Sequence, residues 1–250
     1  MSKVQTIFGF HAVTSRIRTR SESVRELYVA EGRHDPRMKD LLKLADENNL
    51  RVMTVGAPRL DGMAAGGRHQ GIVATVDEAK LAQFVDDVLD TLTVPPFLLV
   101  LDGVQDPHNL GACLRVADAA GAHAVIAPKD RSVGLTAAAI KVASGAAETV
   151  PYITVTNIAR TMRELKERDI RLVGADENGQ SDLFSARFSG AIAWVFGAEG
   201  EGLRRLTREN CDEIISIPMF GSVQSLNVSV AAGICLFESR RQLGQQSSRP

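Results

Sequence analysis

The sequence predicts an α/β protein in two parts, a small α/β unit at the front and a larger unit built on a mostly parallel sheet. Three observations carry this reading. Residues 97–102 (Phe-Leu-Leu-Val-Leu-Asp) form an almost unbroken apolar run, as expected of a strand covered on both faces. From there to the end of the chain, strand-like and helix-like segments alternate, the pattern of βα units in a parallel sheet. Between the two parts the pattern breaks. An acidic, helix-compatible stretch with Asp86, Asp87 and Asp90 ends at Pro95-Pro96, where proline and the residue before it both resist helix. The boundaries read as a first domain over 1–77, a linker over 78–96, a second domain over 97–244, and a polar, frayed tail over 245–250.

The elements follow in order. In the first domain, 24–30 reads as a strand and 36–48 as a helix, with Leu41, Leu42, Leu44 and Ala45 at near-helical spacing. A strand over 50–55, a glycine-rich loop over 62–67 and a β-branched strand over 71–76 complete it. In the second domain, strands are expected at 97–102, 122–127, 150–155, 170–175, 191–196 and 213–217. Helices are expected at 110–120, 135–142, 157–168 and 225–241.

Charge is nearly balanced, with 29 Lys/Arg against 30 Asp/Glu, and hydrophobic residues make up 44% of the chain. That composition excludes wholesale disorder and a polycationic nucleic-acid tail. The balance is uneven along the chain, however. Residues 1–77 hold 12 Lys/Arg and 9 Asp/Glu, so the excess of base is all at the front. It falls in two clusters, Arg16, Arg18, Arg20 and Arg25, then Arg33, His34, Arg37 and Lys39. Either a solvated helix face or a face that meets phosphate would produce them. The first ten residues carry no long apolar run, and the longest apolar stretches fall far short of a membrane span, so a cytoplasmic protein with no membrane partner is expected. Cys113, Cys211 and Cys235 are scattered without Cys-x-x-Cys spacing, so neither a disulfide framework nor a metal site is expected.

In parallel sheets, function gathers at the carboxyl ends of the strands. Three segments there are unusual. The first, residues 106–115, follows the strand ending at Asp102. Asn109 reads as a helix N-cap, and Leu110, Cys113, Leu114 and Ala117 as the buried stripe. Arg115 lies off that stripe, one turn beyond Gly111. It is either a functional guanidinium reaching over the bare glycine or a surface residue paired with Asp118. The second, Gly197-Ala-Glu199-Gly200-Glu-Gly202, is a glycine turn after a strand. Its two carboxylates would repel phosphate and tolerate a cation, and it matches neither G-x-G-x-x-G nor a Walker A loop. The third, residues 217–229, leads into the last helix. Ser225 reads as its cap, Asn227 as part of its first turn, and Leu226, Val230, Ile234 and Phe237 as its apolar stripe. Small residues on that helix suit either core packing or a dimer face.

The order Asn109-x-Gly111-x-x-x-Arg115, Gly197-Ala-Glu199-Gly200-x-Gly202 and Ser225-Leu-Asn227-Val-Ser229 resembles the three motifs of the SpoU (TrmH-type, SPOUT class) RNA ribose 2′-O-methyltransferases. The resemblance continues through Pro128-Lys-Asp-Arg131 and residues 141–148. At the front, Phe8-Gly9-Phe10-His11-Ala-Val13 and His69-Gln70-Gly71-Ile72 resemble the family's amino-terminal RNA-binding domain, so that 5–242 is covered. The resemblance implies a trefoil-knotted catalytic domain, S-adenosylmethionine (AdoMet) as methyl donor without a metal, and a homodimer. It further implies transfer to the ribose 2′-hydroxyl of a guanosine in the peptidyl-transferase P-loop of 23S rRNA. It places catalysis at Arg115, Asn109, Glu199, Ser225 and Asn227, and donor binding around Gly197, Ile217, Leu226, Gly200 and Met219. A guanidinium hardly deprotonates, so Arg115 is expected to stabilise a developing alkoxide electrostatically rather than act as a base. Three rival readings are a tRNA 2′-O-methyltransferase of the same family, a non-catalytic RNA-binding protein, and a nucleotide-cofactor enzyme on a Rossmann sheet. The missing G-x-G-x-x-G counts against the last.

Overall fold

The structure is a computed structural model that describes residues 4–77, 81–198, 200 and 202–246. The chain divides into two compact units, Met1–Lys80 and Leu81–Pro250.

The first unit runs β1 (Val4–Phe8), α1 (Phe10–Arg20), β2 (Val24–Ala30), α2 (Pro36–Glu47), β3 (Val52–Val55), α3 (Ala57–Met63) and β4 (Ile72–Asp77). Its four-stranded sheet has the order β1-β4-β2-β3, with β2 and β3 parallel and the other pairs antiparallel. Strand alternation sorts the core. Leu27, Val29, Ile72 and Ala74 face α1 and α2, whereas Tyr28 and Val73 pack with Leu60 of α3. Asp35 caps α2 by accepting from the Met38 amide, and Pro36 fits the first turn, where its missing N–H costs nothing.

Two readings of this unit are corrected. The loop read over 62–67 begins later, because Gly62 and Met63 end a short helix, α3, and Arg16 is not on a solvated face. Arg16 is 2% exposed; its Nη1 donates to Ser23 Oγ at 3.3 Å and to the Asp77 carbonyl at 3.4 Å. The two motifs resembling the RNA-binding domain meet in space. The Gly9 amide donates to the Ile72 carbonyl, and the Arg33 guanidinium lies 4.9 Å from the Phe10 ring centre while donating to the Gln70 carbonyl.

The second unit runs α4 (Val85–Leu89), β5 (Phe97–Asp102), α5 (Pro107–Ala119), β6 (Ala124–Pro128), α6 (Ala137–Ala143), β7 (Tyr152–Val155), α7 (Ile158–Glu167), β8 (Arg171–Ala175), β9 (Ser181–Asp182), β10 (Ile192–Gly197), α8 (Arg205–Asn210), β11 (Glu213–Ser216) and α9 (Val228–Gln246). The seven-stranded sheet has the order β7-β6-β5-β10-β8-β11-β9, with every pair parallel. Phe97, Leu99, Leu101, Ile192 and Trp194 belong to one core with α5, α6 and α9. Leu98, Val100, Ala193 and Val195 belong to a second core with α4 and α7. Both faces are buried, which is why residues 97–102 read as continuously apolar. Each large side chain so buried contributes roughly 1.5–3 kcal/mol.

The stretch read as a linker therefore belongs largely to this unit. Val88 and Leu89 are buried in its core, and Arg168 pairs with Asp86 at 2.9 Å and Asp90 at 2.7 Å. Residues 78–80 lie outside the described residues, as do 247–250 of the tail, while α9 runs on to Gln246.

Two features of α5 also differ from the sequence reading. The cap is Asp106, which accepts from the His108 amide at 2.8 Å, and the helix starts at Pro107, leaving Asn109 inside the first turn. Gly111 serves helix packing. A Cβ there would lie 2.5 Å from the Ala139 carbonyl oxygen and 2.7 Å from Val142 Cβ, so α5 and α6 meet backbone to backbone. Gly111→Ala is accordingly expected to destabilise the chain by about 1–3 kcal/mol, read as a lower Tm in thermal denaturation.

Candidate active site

The cavity at the carboxyl edge of the larger sheet encloses about 950 Å³. Its wall comes from three loops, those after β8 (Asp176 to Asn178), after β10 (Ala198, Gly200 and Gly202, with Gly197 at the strand end) and after β11 (Ile217 to Asn227), together with the start of α9. Gly197, Gly200, Ile217, Met219, Ser225, Leu226 and Asn227, separated by up to 30 positions in sequence, all line it. Glu199 lies outside the described residues.

The glycine turn is shaped by close backbone approach. A Cβ on Gly197 would overlap the Gly202 carbonyl, and the Ala198 carbonyl accepts from the Gly202 amide at 3.0 Å. Two anchors hold the turn in place. Asp102, wholly buried at the end of β5, pairs with Arg204 at 2.7 Å and accepts a hydrogen bond from Thr207. Further along α8, Arg208 pairs with Asp176 Oδ1 at 3.0 Å and also donates to the Asn178 carbonyl. Burial pushes the Asp176 carboxyl up, but the Asn178 amide and Arg208 more than offset this and hold it below the ordinary carboxylate value. The sequence reading missed α8, Asp102, Arg204 and Asp176. The signal for Asp176 was available, because Asp-Glu-Asn-Gly directly follows a predicted strand, where function gathers.

The entry to α9 differs from expectation. Ser225 is exposed in the loop, and Asn227 is the residue that turns the chain into the helix. Asn227 Oδ1 accepts from the Ser229 amide at 2.9 Å and its hydroxyl at 2.6 Å, while Nδ2 donates to Asn109 Oδ1 at 2.9 Å. The first and third motifs are thus joined side chain to side chain across 118 positions.

Arg115 is exposed on α5 and is not part of the cavity wall; among the described residues it pairs with no carboxylate, Asp118 included, which accepts from Thr149 instead. The stripe of α9 is also revised. Its core face is Val228, Ala232, Cys235 and Ser239, whereas Val230 and Phe237 are 50% and 51% exposed. Ser239 Oγ accepts from Trp194 Nε1 at 2.8 Å, which fixes the helix to β10.

Burial pushes the Cys211 thiol up to about 12 and the Cys235 thiol upward as well, which keeps both protonated and poorly nucleophilic at neutral pH. Among the described residues no three His, Cys, Asp or Glu side chains form a group that could hold a metal.

The SpoU rRNA Methylase family matches residues 96–237, and the family described as RNA 2′-O ribose methyltransferase substrate binding matches residues 6–82.

The chain belongs to the SpoU rRNA methylase family.

Among SpoU relatives, the 23S rRNA (guanosine-2′-O-)-methyltransferase RlmB of Ralstonia nicotianae is 60% identical over 242 residues, 97% of this chain and 97% of its own. The RlmB of Escherichia coli is 52% identical over 240 residues, 95% of this chain and 98% of its own. The crystal structure of the SpoU methyltransferase AviRb from Streptomyces viridochromogenes with AdoMet shares the fold, with a TM-score of 0.70 at 24% identity over 98% of this chain and 92% of that one.

The anchoring of the glycine turn can be tested directly. Asp102→Ala strands Arg204 and Thr207 and is expected to lower stability by about 2–4 kcal/mol, measured by urea unfolding of the full chain.

Proposed function

We propose that this protein transfers a methyl group from AdoMet to the ribose 2′-hydroxyl of a guanosine in 23S rRNA, within the peptidyl-transferase P-loop, and works in the cytoplasm as a homodimer. The observation that carries the reading is the Asn227–Asn109 hydrogen bond beside a cavity lined by the glycine turn, which gathers the SpoU motif segments at one edge. The relatives named as 23S rRNA (guanosine-2′-O-)-methyltransferases supply the substrate.

The residues present fit AdoMet. The cavity is large enough for a nucleoside, its wall includes Phe196, Ile217, Met219 and Leu226, and at Gly197 any side chain would collide with the Gly202 backbone of the turn that forms the wall. The backbone at Gly197, Gly200, Ile217, Met219 and Leu226 would hold the donor. When bound, AdoMet supplies an electrophilic methyl on a sulfonium centre.

The chain's own residues do the rest. The Arg115 guanidinium stabilises the alkoxide that develops on the ribose, and the proton leaves to an RNA phosphate or a nearby carboxylate. Asn109, Glu199, Ser225 and Asn227 position the acceptor. Arg115 stands away from the cavity wall of its own chain, which supports a second protomer supplying it. The exposed Val230 and Phe237 on α9 offer an apolar face for that dimer. The first unit, with Arg18, Arg37 and Lys39 exposed, binds the rRNA. The trefoil knot belongs to the same reading. Its support is the interleaving by which β10 inserts between β5 and β8, and β11 between β8 and β9.

Incubation with labelled AdoMet and separate rRNA and tRNA pools, followed by primer extension, is expected to place the label on one guanosine of 23S rRNA; label in tRNA alone would reject the substrate. Arg115→Ala should lower transfer about a hundredfold or more with AdoMet affinity unchanged in calorimetry. In sedimentation the protein should run as a dimer, and Phe237→Asp should yield a monomer without transferase activity that still unfolds cooperatively.

A further inference from the structure

The cavity wall contains one carboxylate whose partners leave half of it unused. Asp176, at the carboxyl end of β8, has a side chain only 9% exposed. Its described contacts all fall on Oδ1: the Asn178 amide at 2.9 Å, Asn178 Nδ2 at 3.3 Å and Arg208 Nη1 at 3.0 Å. Oδ2 points the other way, toward Gly202 across the cavity wall, where a Cβ would come within 3.2 Å of it. Asp176 and Gly202 both line the cavity, so the absence of a side chain at Gly202 keeps that oxygen approachable.

We infer that Asp176 Oδ2 accepts hydrogen bonds from the ribose 2′,3′-diol of the methyl donor, and that Arg208 and Asn178 hold the carboxylate for this purpose. The inference rests on the reading that the cavity binds AdoMet. Three points select the diol. An ionised carboxylate only accepts, so its partner must be a donor. Arg208 already neutralises the charge locally, so a cation such as the donor's ammonium would gain little at Oδ2 and would meet the guanidinium beside it, whereas a neutral hydroxyl meets only the acceptor. Finally, a carboxylate just past a parallel strand, beside a glycine turn on the neighbouring strand, is where open α/β sheets bind ribose hydroxyls. Asp176 is thereby a recognition residue. The Asp176–Arg208 pair also stiffens the wall, and the test separates the two roles.

Calorimetric titration of the full chain would compare S-adenosylhomocysteine, its 2′,3′-dideoxy analogue and its inosine analogue on the native protein and on Asp176→Ala. The substitution is expected to weaken S-adenosylhomocysteine about tenfold or more and to leave the dideoxy analogue, already weak on the native chain, unchanged. The inosine analogue should lose as much as S-adenosylhomocysteine. Equal losses for all three ligands would mean that the carboxylate only supports the wall, and an unchanged inosine analogue would move the contact to the adenine amine; either overturns the inference. If Asp176→Ala fails to fold, the comparison is read on Asp176→Asn, which keeps the shape but turns an amide NH₂ toward the ligand, and the same selective loss is expected. A folded native chain that binds none of the three ligands removes the AdoMet reading, and this inference with it. Binding to the native chain without diol discrimination removes the inference alone.

Discussion

Parallel strands can be joined only by connections that cross a face of the sheet, so both faces of the larger sheet acquire helices and the strands' carboxyl ends collect at one edge. Everything else in the second unit depends on this. The alternation of Phe97, Leu99 and Leu101 with Leu98 and Val100 feeds two separate cores, and burial on both sides leaves the strand ends to carry the cavity. Three of the loops at those ends and the start of α9 line the cavity.

The cavity wall is held by residues outside the motifs. Short as it is, α8 ties the end of β5 to the glycine turn through Asp102, Arg204 and Thr207, and it ties the loop after β8 to the same turn through Arg208 and Asp176. At the other side, α9 is fixed under β10 by Trp194 and Ser239, and Gln242 bonds the backbone at Ala186 and Phe188. With both helices anchored, the Asn227–Asn109 bond need supply only the last alignment, a net contribution of about 1 kcal/mol for a neutral hydrogen bond.

Much of this was legible before the structure. Strands 24–30 and 97–102 match β2 and β5 residue for residue; the second is an apolar run bounded by Pro95-Pro96 and Gly103. The helix starting at Pro36 was legible from its amphipathic spacing, and the structure adds its aspartate cap, Asp35. Where reading failed, a competing partner explains it. Asn109 has the chemistry of a cap, but Asp106, three residues earlier, caps the helix and leaves Asn109 free to reach Asn227. Arg16 sits among other arginines and looks solvated, yet α1 turns it into the core, where Ser23 and the Asp77 carbonyl receive it. The acidic stretch near 86–90 looks like a linker until Arg168, nearly eighty residues later, arrives to pair with it. The short α3 and α8 have too few turns for periodicity to reveal them.

The sequence by itself determined the fold class, the two-part organisation, the family and two of the segments that line the cavity, the glycine turn and the approach to α9. These depend on local periodicity, on turn chemistry and on motif spacing, all of which are written along the chain. Only the tertiary structure decided which side chains face the cavity. Gly111 serves a helix contact rather than Arg115, Arg115 lies off the wall of its own chain, and Asp176 joins the site although no motif contains it. The physical reason is that a side chain's role is set by neighbours tens of residues away, through distances and directions that no local pattern encodes.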